Sequence, residues 1–231
     1  KFMIKHSKIF FTCIALSLVV STTNAQEVAV TNDIGSWLTA GFEKKLYKGF
    51  KLEFEQELRL FKNFTKIDDI ISNIEFSYKI NKNFSIAAGG RYTYDMDYLN
   101  NFQHDLRYNL DFSYQIKLSS VIRLGYRLRY QNEYLNCFRS REIDNLQEIK
   151  FRNRIKLEYY HKQANKFYFS AEIFRLHKIF RLPYFSKIRL FIGDKYSFGK
   201  HSLDISLGFH HFLKKESPAK LGVLSLKYSF N

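Results

Sequence analysis

The sequence predicts an all-β protein, an antiparallel transmembrane β-barrel of about twelve strands, within a range of ten to twelve, with short turns at one end and longer loops at the other. Three observations predict it. Apolar and charged residues alternate with a period of two through segment after segment, the segments are long, and aromatic residues gather beside the short turns.

The clearest segment is 50–62, FKLEFEQELRLFK. Phe50, Leu52, Phe54, Leu58 and Leu60 fall on one face, with Gln56 the exception, while Lys51, Glu53, Glu55, Glu57 and Arg59 fall on the other. Strand side chains point alternately to opposite faces, so this segment needs one dry side and one side that solvates or pairs ions. The pattern places strands at 35–46, 50–62, 70–80, 84–96, 104–116, 121–131, 147–160, 166–176, 187–198, 202–213 and 221–230. Tight connections stand at 47–49, 81–83, 117–120, 161–165 and 199–201; roomier ones at 63–69, 132–146 and 214–220. Short periplasmic turns and longer outer loops are the habit of bacterial barrels.

A soluble sandwich also alternates, so length and aromatics decide. Soluble strands run to about 5–6 residues, whereas strands that cross a bilayer at a tilt need about 9–11. Tyr78, Phe84, Tyr114, Tyr159, Phe167, Tyr196 and Phe198 lie beside the tight turns, where rings with a polar tip suit the headgroup level. The chain ends LSLKYSFN with Leu224, Leu226, Tyr228 and Phe230 on one face, the form of a closing strand offered to barrel-assembly machinery. Parity is the open point. If tight turns are periplasmic, the Trp37 strand runs downward like the last one, and 27–33 is the material for a further upward crossing; an odd-stranded barrel or a threaded amino-terminal segment are the alternatives.

Residues 1–25 read as a signal peptide: Lys1, Lys5 and Lys8, the apolar run 9–20, then small residues up to Ala25. That run is too short for a membrane-spanning helix, which needs about 20 apolar residues. Residues 26–231 form a single barrel domain in this reading. Cleavage near Ala25 takes the formal charge from +15 to +12 by removing three lysines. It also removes Cys13, leaving Cys137 without an internal disulfide partner. The expected location is the outer membrane of a Gram-negative bacterium, with outer-membrane lipids as partners. Nucleic acid is not an expected partner, since aromatics and arginines in IRLGYRLRYQ point to opposite faces and make no stacking platform.

The polar faces assign a lumen-facing ionic network: Glu53, Glu55, Glu57, Arg59, Arg91, Asp105, Arg107, Asp111, Arg123, Arg127, Arg129, Arg152, Arg154, Glu158 and Glu172, with Lys51, Glu75, Lys79, Asp95, Lys150 and Lys156. Charges at membrane depth are costly, so they are expected to pair across the lumen or line water. Carboxylates of 50–62 facing the arginines of 121–131 suit bidentate pairing. Gln56, Ser72, Asn153 and Asp194 fall on the lipid side, and Asp194 after Gly193 suggests a bulge that re-aims the strand.

Chemistry has little support. Asp204, Ser206 and His210 share one strand face, but residues two apart are roughly 7 Å apart, too far for a triad. His104 with Asp105 is the other pair to inspect. No HExxH, CxxC or glycine-rich phosphate loop occurs, so no metal or cofactor is expected. The expected function is a non-enzymatic scaffold or restricted pore with a salt-bridged lumen; the alternative is a lipid-modifying or proteolytic barrel enzyme.

Trp37 followed by FEKKL (42–46), FEQELR (54–59), GGRYTY (89–94), LGYRLRYQ (124–131) and FRNRIKLEY (151–159) resembles the outer-membrane proteins of the domain of unknown function 2490 family. The resemblance implies a secreted barrel with no assigned activity, and hence no functional residues.

Overall fold

The computed structural model describes residues 32–96, 102–135, 137, 147–161, 165–178, 181–213 and 220–231. Eleven strands account for nearly all of them: β1 (Asn32–Lys45), β2 (Phe50–Phe61), β3 (Lys66–Lys79), β4 (Phe84–Met96), β5 (Phe102–Lys117), β6 (Ile122–Tyr134), β7 (Gln147–His161), β8 (Asn165–Lys178), β9 (Tyr184–Phe198), β10 (His201–Phe212) and β11 (Lys220–Phe230). Each pairs with its sequence neighbours, and the sheet closes into a barrel through β1 and β11. Residues 1–25, read above as a signal peptide and including Cys13, lie outside the described residues.

The strand count among the described residues is eleven rather than about twelve. With antiparallel neighbours throughout, an odd number leaves the first and last strands running the same way, so the closing ladder is parallel, from Asn32↔Lys220 to Phe42↔Phe230. Asn32 and Asp33, assigned from sequence to a further crossing, instead begin β1; 27–31 lies outside the described residues.

The exterior is greasy. Phe54, Phe76, Phe112, Ile155, Ile192 and Leu207 are between 46 % and 62 % exposed, while Asn109, Asp111, Gln131, Glu172 and His210 are at most 5 % exposed. That inverts the distribution of a water-soluble protein, where charge is outside and large apolar patches are rare. A bilayer is the solvent that satisfies it. Cross-strand ring pairs ring the tight-turn end: Phe50 with Tyr78 at 4.5 Å, Phe84 with Tyr114 at 4.6 Å, Phe42 with Phe230 at 6.1 Å.

Two polar pairs on that outer face satisfy each other laterally, as hydrocarbon requires, whereas Asp194 Oδ1 has no hydrogen-bond partner among the described residues. Ser72 Oγ donates to Gln56 Oε1 at 2.7 Å, and Tyr126 Oη donates to Asn153 Oδ1 at 2.6 Å. Asp194 stays on the outer face in unbroken register with Phe167 and Ile205. The bulge between β8 and β9 lies at Phe174/Arg175 instead. Gly193 has another purpose. A Cβ there would stand 2.6 Å from Ser206 Cβ and 2.7 Å from the Tyr168 ring, so the glycine makes room for that ring, whose hydroxyl donates to Asp204 Oδ1 at 2.8 Å.

Turn chemistry follows the sequence. Lys48 and Gly49 both take positive φ, 46° and 88°, between β1 and β2, the pairing a two-residue hairpin turn needs. At the other end, Lys62, Asn63 and Phe64 are three successive non-glycine residues at φ 50°, 54° and 68°. That turn is held by Asp33, whose carboxylate accepts from Lys62 N at 3.0 Å and Asn63 N at 3.2 Å.

Candidate lumen site

Side chains alternate inward and outward along the strands, and the inward set is mostly ionic, amide or hydroxyl, with Trp37, Phe61, Ile71, Phe174, Leu176 and Val223 among its apolar members. Two cavities divide the lumen. The one toward the tight turns, about 650 Å³, is bordered by Lys45, Lys79, Ser113, Lys156 and Glu158. The one toward the long loops, about 680 Å³, is bordered by Trp37, Arg59, Arg91, Arg107, Arg152 and Arg189. Glu75, Arg127 and Arg154 belong to both walls, so the cavities meet at their level.

That level is an ion-pair partition. Arg129 holds Asp111 bidentately, Nε to Oδ1 at 2.6 Å and Nη2 to Oδ2 at 2.5 Å, and its Nη2 also reaches Glu75 at 3.1 Å. Arg127 joins Glu172 at 3.0 Å and Asp111 at 3.5 Å. Arg152 forks onto Glu172 through Nε at 3.2 Å and Nη2 at 2.9 Å. Asp111 and Glu172 are each about 5 % exposed at the side chain, so these bonds lie away from bulk water and hold their strength.

Elsewhere the network is more local. On β2, Glu53 and Glu55 both bind Lys227 of β11, which stitches across the seam strand β1, while Lys51 bridges Glu53 and Glu43 at 2.9 Å and 3.2 Å. Arg59 binds Glu57 at 2.5 Å and Asp69 at 3.0 Å. Near that end the carboxylates of Asp68, Asp69 and Asp95 come within 4.8 Å of one another. Arg107 reaches Glu133 only at 3.8 Å, and Lys150 binds Glu133 and Glu148. Glu158 takes Lys156 and Lys166, both at 3.1 Å, and Arg123 donates to Tyr160 Oη at 3.0 Å. Asp105 is buried on the inner face of β5. The carboxylates of β2 thus pair with β11 and with their own strand, not with the β6 arginines, which turn to β3, β5 and β8. Reach explains it: β6 has acidic partners next door at Asp111 and across at Glu75 and Glu172.

Among the described residues, Arg91, Arg154 and Lys187 have no carboxylate within ion-pair distance, Arg189 reaches Glu172 only at 3.8 Å, and the buried Nε atoms of Arg91, Arg107, Arg127 and Arg189 have no hydrogen-bond partner. Arg91 stands directly opposite Arg107, Arg127 opposite Arg154, and Arg129 opposite Arg152. Aromatic faces steady some of this charge. Phe174 takes Arg152 at 4.6 Å and Lys187 and Arg189 at 4.9 Å, and Trp37 takes Arg59 at 4.3 Å and Arg189 at 5.1 Å. Lys187, Arg189, Lys227, Glu133 and Glu148 were missed by sequence reading, although KIRLFIGDK carries the signal in its alternation of Lys187, Arg189 and Phe191.

The strand-face trio does not come together. Asp204 is taken by Tyr168, and His210, 2 % exposed between Trp37 at 5.2 Å and Phe191 at 5.8 Å, leaves its Nε2 without a partner. His104 faces outward, its Nδ1 2.6 Å from Tyr92 Oη, while Asp105 faces inward. Cys137 is an exposed free thiol.

A closed β-barrel, apolar outside and ionic within, is the class of protein these features define. The chain belongs to the family described as protein of unknown function DUF2490, whose model matches residues 34–219. Among solved structures it is similar to LpxR from Salmonella typhimurium, with a TM-score of 0.51, 8 % identity, and 79 % of this chain and 83 % of that one covered. It is also similar to the NanC porin, with a TM-score of 0.50, 9 % identity, and coverage of 82 % and 93 %. At these identities the likeness is one of fold. No curated protein sequence matches the chain.

Proposed function

We propose that this chain is an integral outer-membrane barrel of a Gram-negative bacterium that acts as a restricted, anion-favouring pore. The observation that carries the reading is the divided lumen: two aqueous cavities separated by one layer of ion pairs, with twelve lysine and arginine side chains against six glutamates lining the larger. An excess of fixed positive charge within low-dielectric walls concentrates anions and repels cations. The layer of Arg129, Asp111, Arg127 and Glu75 limits passage to small solutes. Lipids surround the apolar belt, and β11 is the strand offered to the barrel-assembly machinery. The reading is non-enzymatic, supported by the separation of Asp204, Ser206 and His210 from one another's hydrogen bonds.

Purified protein in planar bilayers under a salt gradient tests it. The expected result is small unitary conductance with a reversal potential on the anion side. Cation selectivity overturns the proposal, and a lumen that never conducts leaves only the scaffold. Fractionation with heat-modifiable gel mobility tests the location, since a folded barrel in outer membranes shifts on boiling.

A further inference from the structure

We propose that the long-loop cavity is a binding site for a small water-soluble polyanion, a ligand with two or more carboxylate or phosphate groups, held by Arg91, Arg107, Arg152, Lys187 and Arg189. The inference builds on the anion-favouring lumen proposed above and adds a stationary site within it.

The case starts from an energetic conflict. Like charges directly opposite on neighbouring strands destabilise a sheet, yet Arg91 faces Arg107 and Arg129 faces Arg152 on the inner wall. Arg129 resolves its share by binding Asp111 and Glu75. Arg91 has no carboxylate in reach among the described residues, and Arg107 comes only to 3.8 Å from Glu133. Both also feel the positive charge of Arg152, as does Arg189, so repulsion converges on one region of the cavity. The residue Arg107 is only 7 % exposed, and two of its donors, Nε and Nη2, are buried without an acceptor, as are Nε of Arg91 and of Arg189. Buried guanidinium donors left unmatched are costly, and departures from local consistency of this kind concentrate where a ligand completes the site.

The opposite side of the cluster is organised to present charge. Phe174, 3 % exposed, offers its ring to Arg152, Lys187 and Arg189 together. Stacking on a π-face fixes a guanidinium plane while leaving its N–H edge free to fork onto an oxyanion. Arg152 shows the geometry in use, its Nε and Nη2 forked on Glu172 and its Nη1 donating to Gln131 at 3.1 Å, while Arg189 Nη1 stands 3.8 Å from Glu172. A monovalent anion would neutralise one of these groups; the number of unmatched donors, spread over β4, β5 and β9, calls for several oxyanions on one molecule. The barrel wall encloses the site, so the ligand arrives from water, and about 680 Å³ accommodates a molecule of metabolite size.

The test is isothermal titration of the full detergent-solubilised chain with citrate and with pyrophosphate, at constant ionic strength set by chloride, with spermine as the cationic control. Saturable binding of citrate or pyrophosphate, one per barrel and absent with spermine, is the expected result. Arg91→Met and Arg189→Met are each expected to weaken it at least about tenfold, the loss of one charge-assisted fork. Arg123→Met, at the tight-turn end, leaves it unchanged. If either methionine variant does not fold, Arg91→Lys and Arg189→Lys keep the charge without the fork and are expected to fall between. Absence of saturable binding, or equal affinity in the wild type and both arginine variants, overturns the site. Binding is read without a bilayer, so its failure leaves anion-selective conductance standing, and the converse.

Discussion

Replacing Asp111 by alanine removes the keystone of the lumen partition. Asp111 accepts from Arg129 at 2.6 Å and 2.5 Å and has Arg127 at 3.5 Å, with side chains only 5 %, 9 % and 14 % exposed. With charge centres roughly 4 Å apart and an effective dielectric of about 20, the Arg129 pair alone is worth about 4 kcal/mol of Coulomb attraction. One-sided removal also strands a buried guanidinium, and such losses run to about 3–5 kcal/mol. Glu75, which keeps its bond to Arg129 at 3.1 Å, offsets part, so about 3 kcal/mol is expected. The assay is denaturant unfolding in micelles followed by Trp37, the single tryptophan, whose ring sits against Arg59, Arg189 and His210. A double-mutant cycle with Arg129→Ala separates the pair from its surroundings. A coupling below about 0.5 kcal/mol would refute the claim that this layer is a cohesive partition. The same variant is expected to raise unitary conductance.

Three further outcomes are expected. Gly193→Ala drives a methyl to 2.6 Å from Ser206 Cβ and 2.7 Å from Tyr168, so it should cost about 1–3 kcal/mol and lower the temperature at which the folded gel band disappears. Asn63→Gly relieves a left-handed residue at φ 54° and should stabilise by up to about 1 kcal/mol, whereas Asp33→Ala removes two anchors of that turn and should expose it to protease. Tyr126→Phe leaves Asn153 facing hydrocarbon and should cost about 0.6–2 kcal/mol; adding Asn153→Leu should restore stability in the same unfolding assay, because neither half then needs a partner.

The strands were legible because a period-two pattern leaves little freedom: once Phe54 faces lipid, Glu53 and Glu55 must face the lumen. β9 was harder. Its inner face runs Lys187, Arg189, Phe191, Gly193, Lys195, so an aromatic and a glycine interrupt the charges, and Asp194 on the outer face inverts the local signal. The reason emerges only in three dimensions, where Tyr168 lies over Gly193 and the Phe191 ring lies over Gly208, each ring filling a gap left by a glycine on a neighbouring strand. Partner choice was equally hidden. Which carboxylate meets Arg127 depends on stagger between strands, and no periodicity within one strand records that offset. The count was legible to within one: the eleven spans read from alternation are the eleven strands, and only the parity argument for a further crossing at 27–33 added to them.

That join has a mechanical consequence. Parallel ladders slant their hydrogen bonds and hold slightly less per residue than antiparallel ones, and here the slanted ladder is one among eleven in a hoop. A hoop under tension parts at its softest joint, so prising this wall apart should begin between Trp37 and Ser225 rather than at any hairpin. The tie that Lys227 throws over β1 to Glu53 and Glu55 then works as a cross-brace, fastening β11 to β2 from within and so spanning that joint.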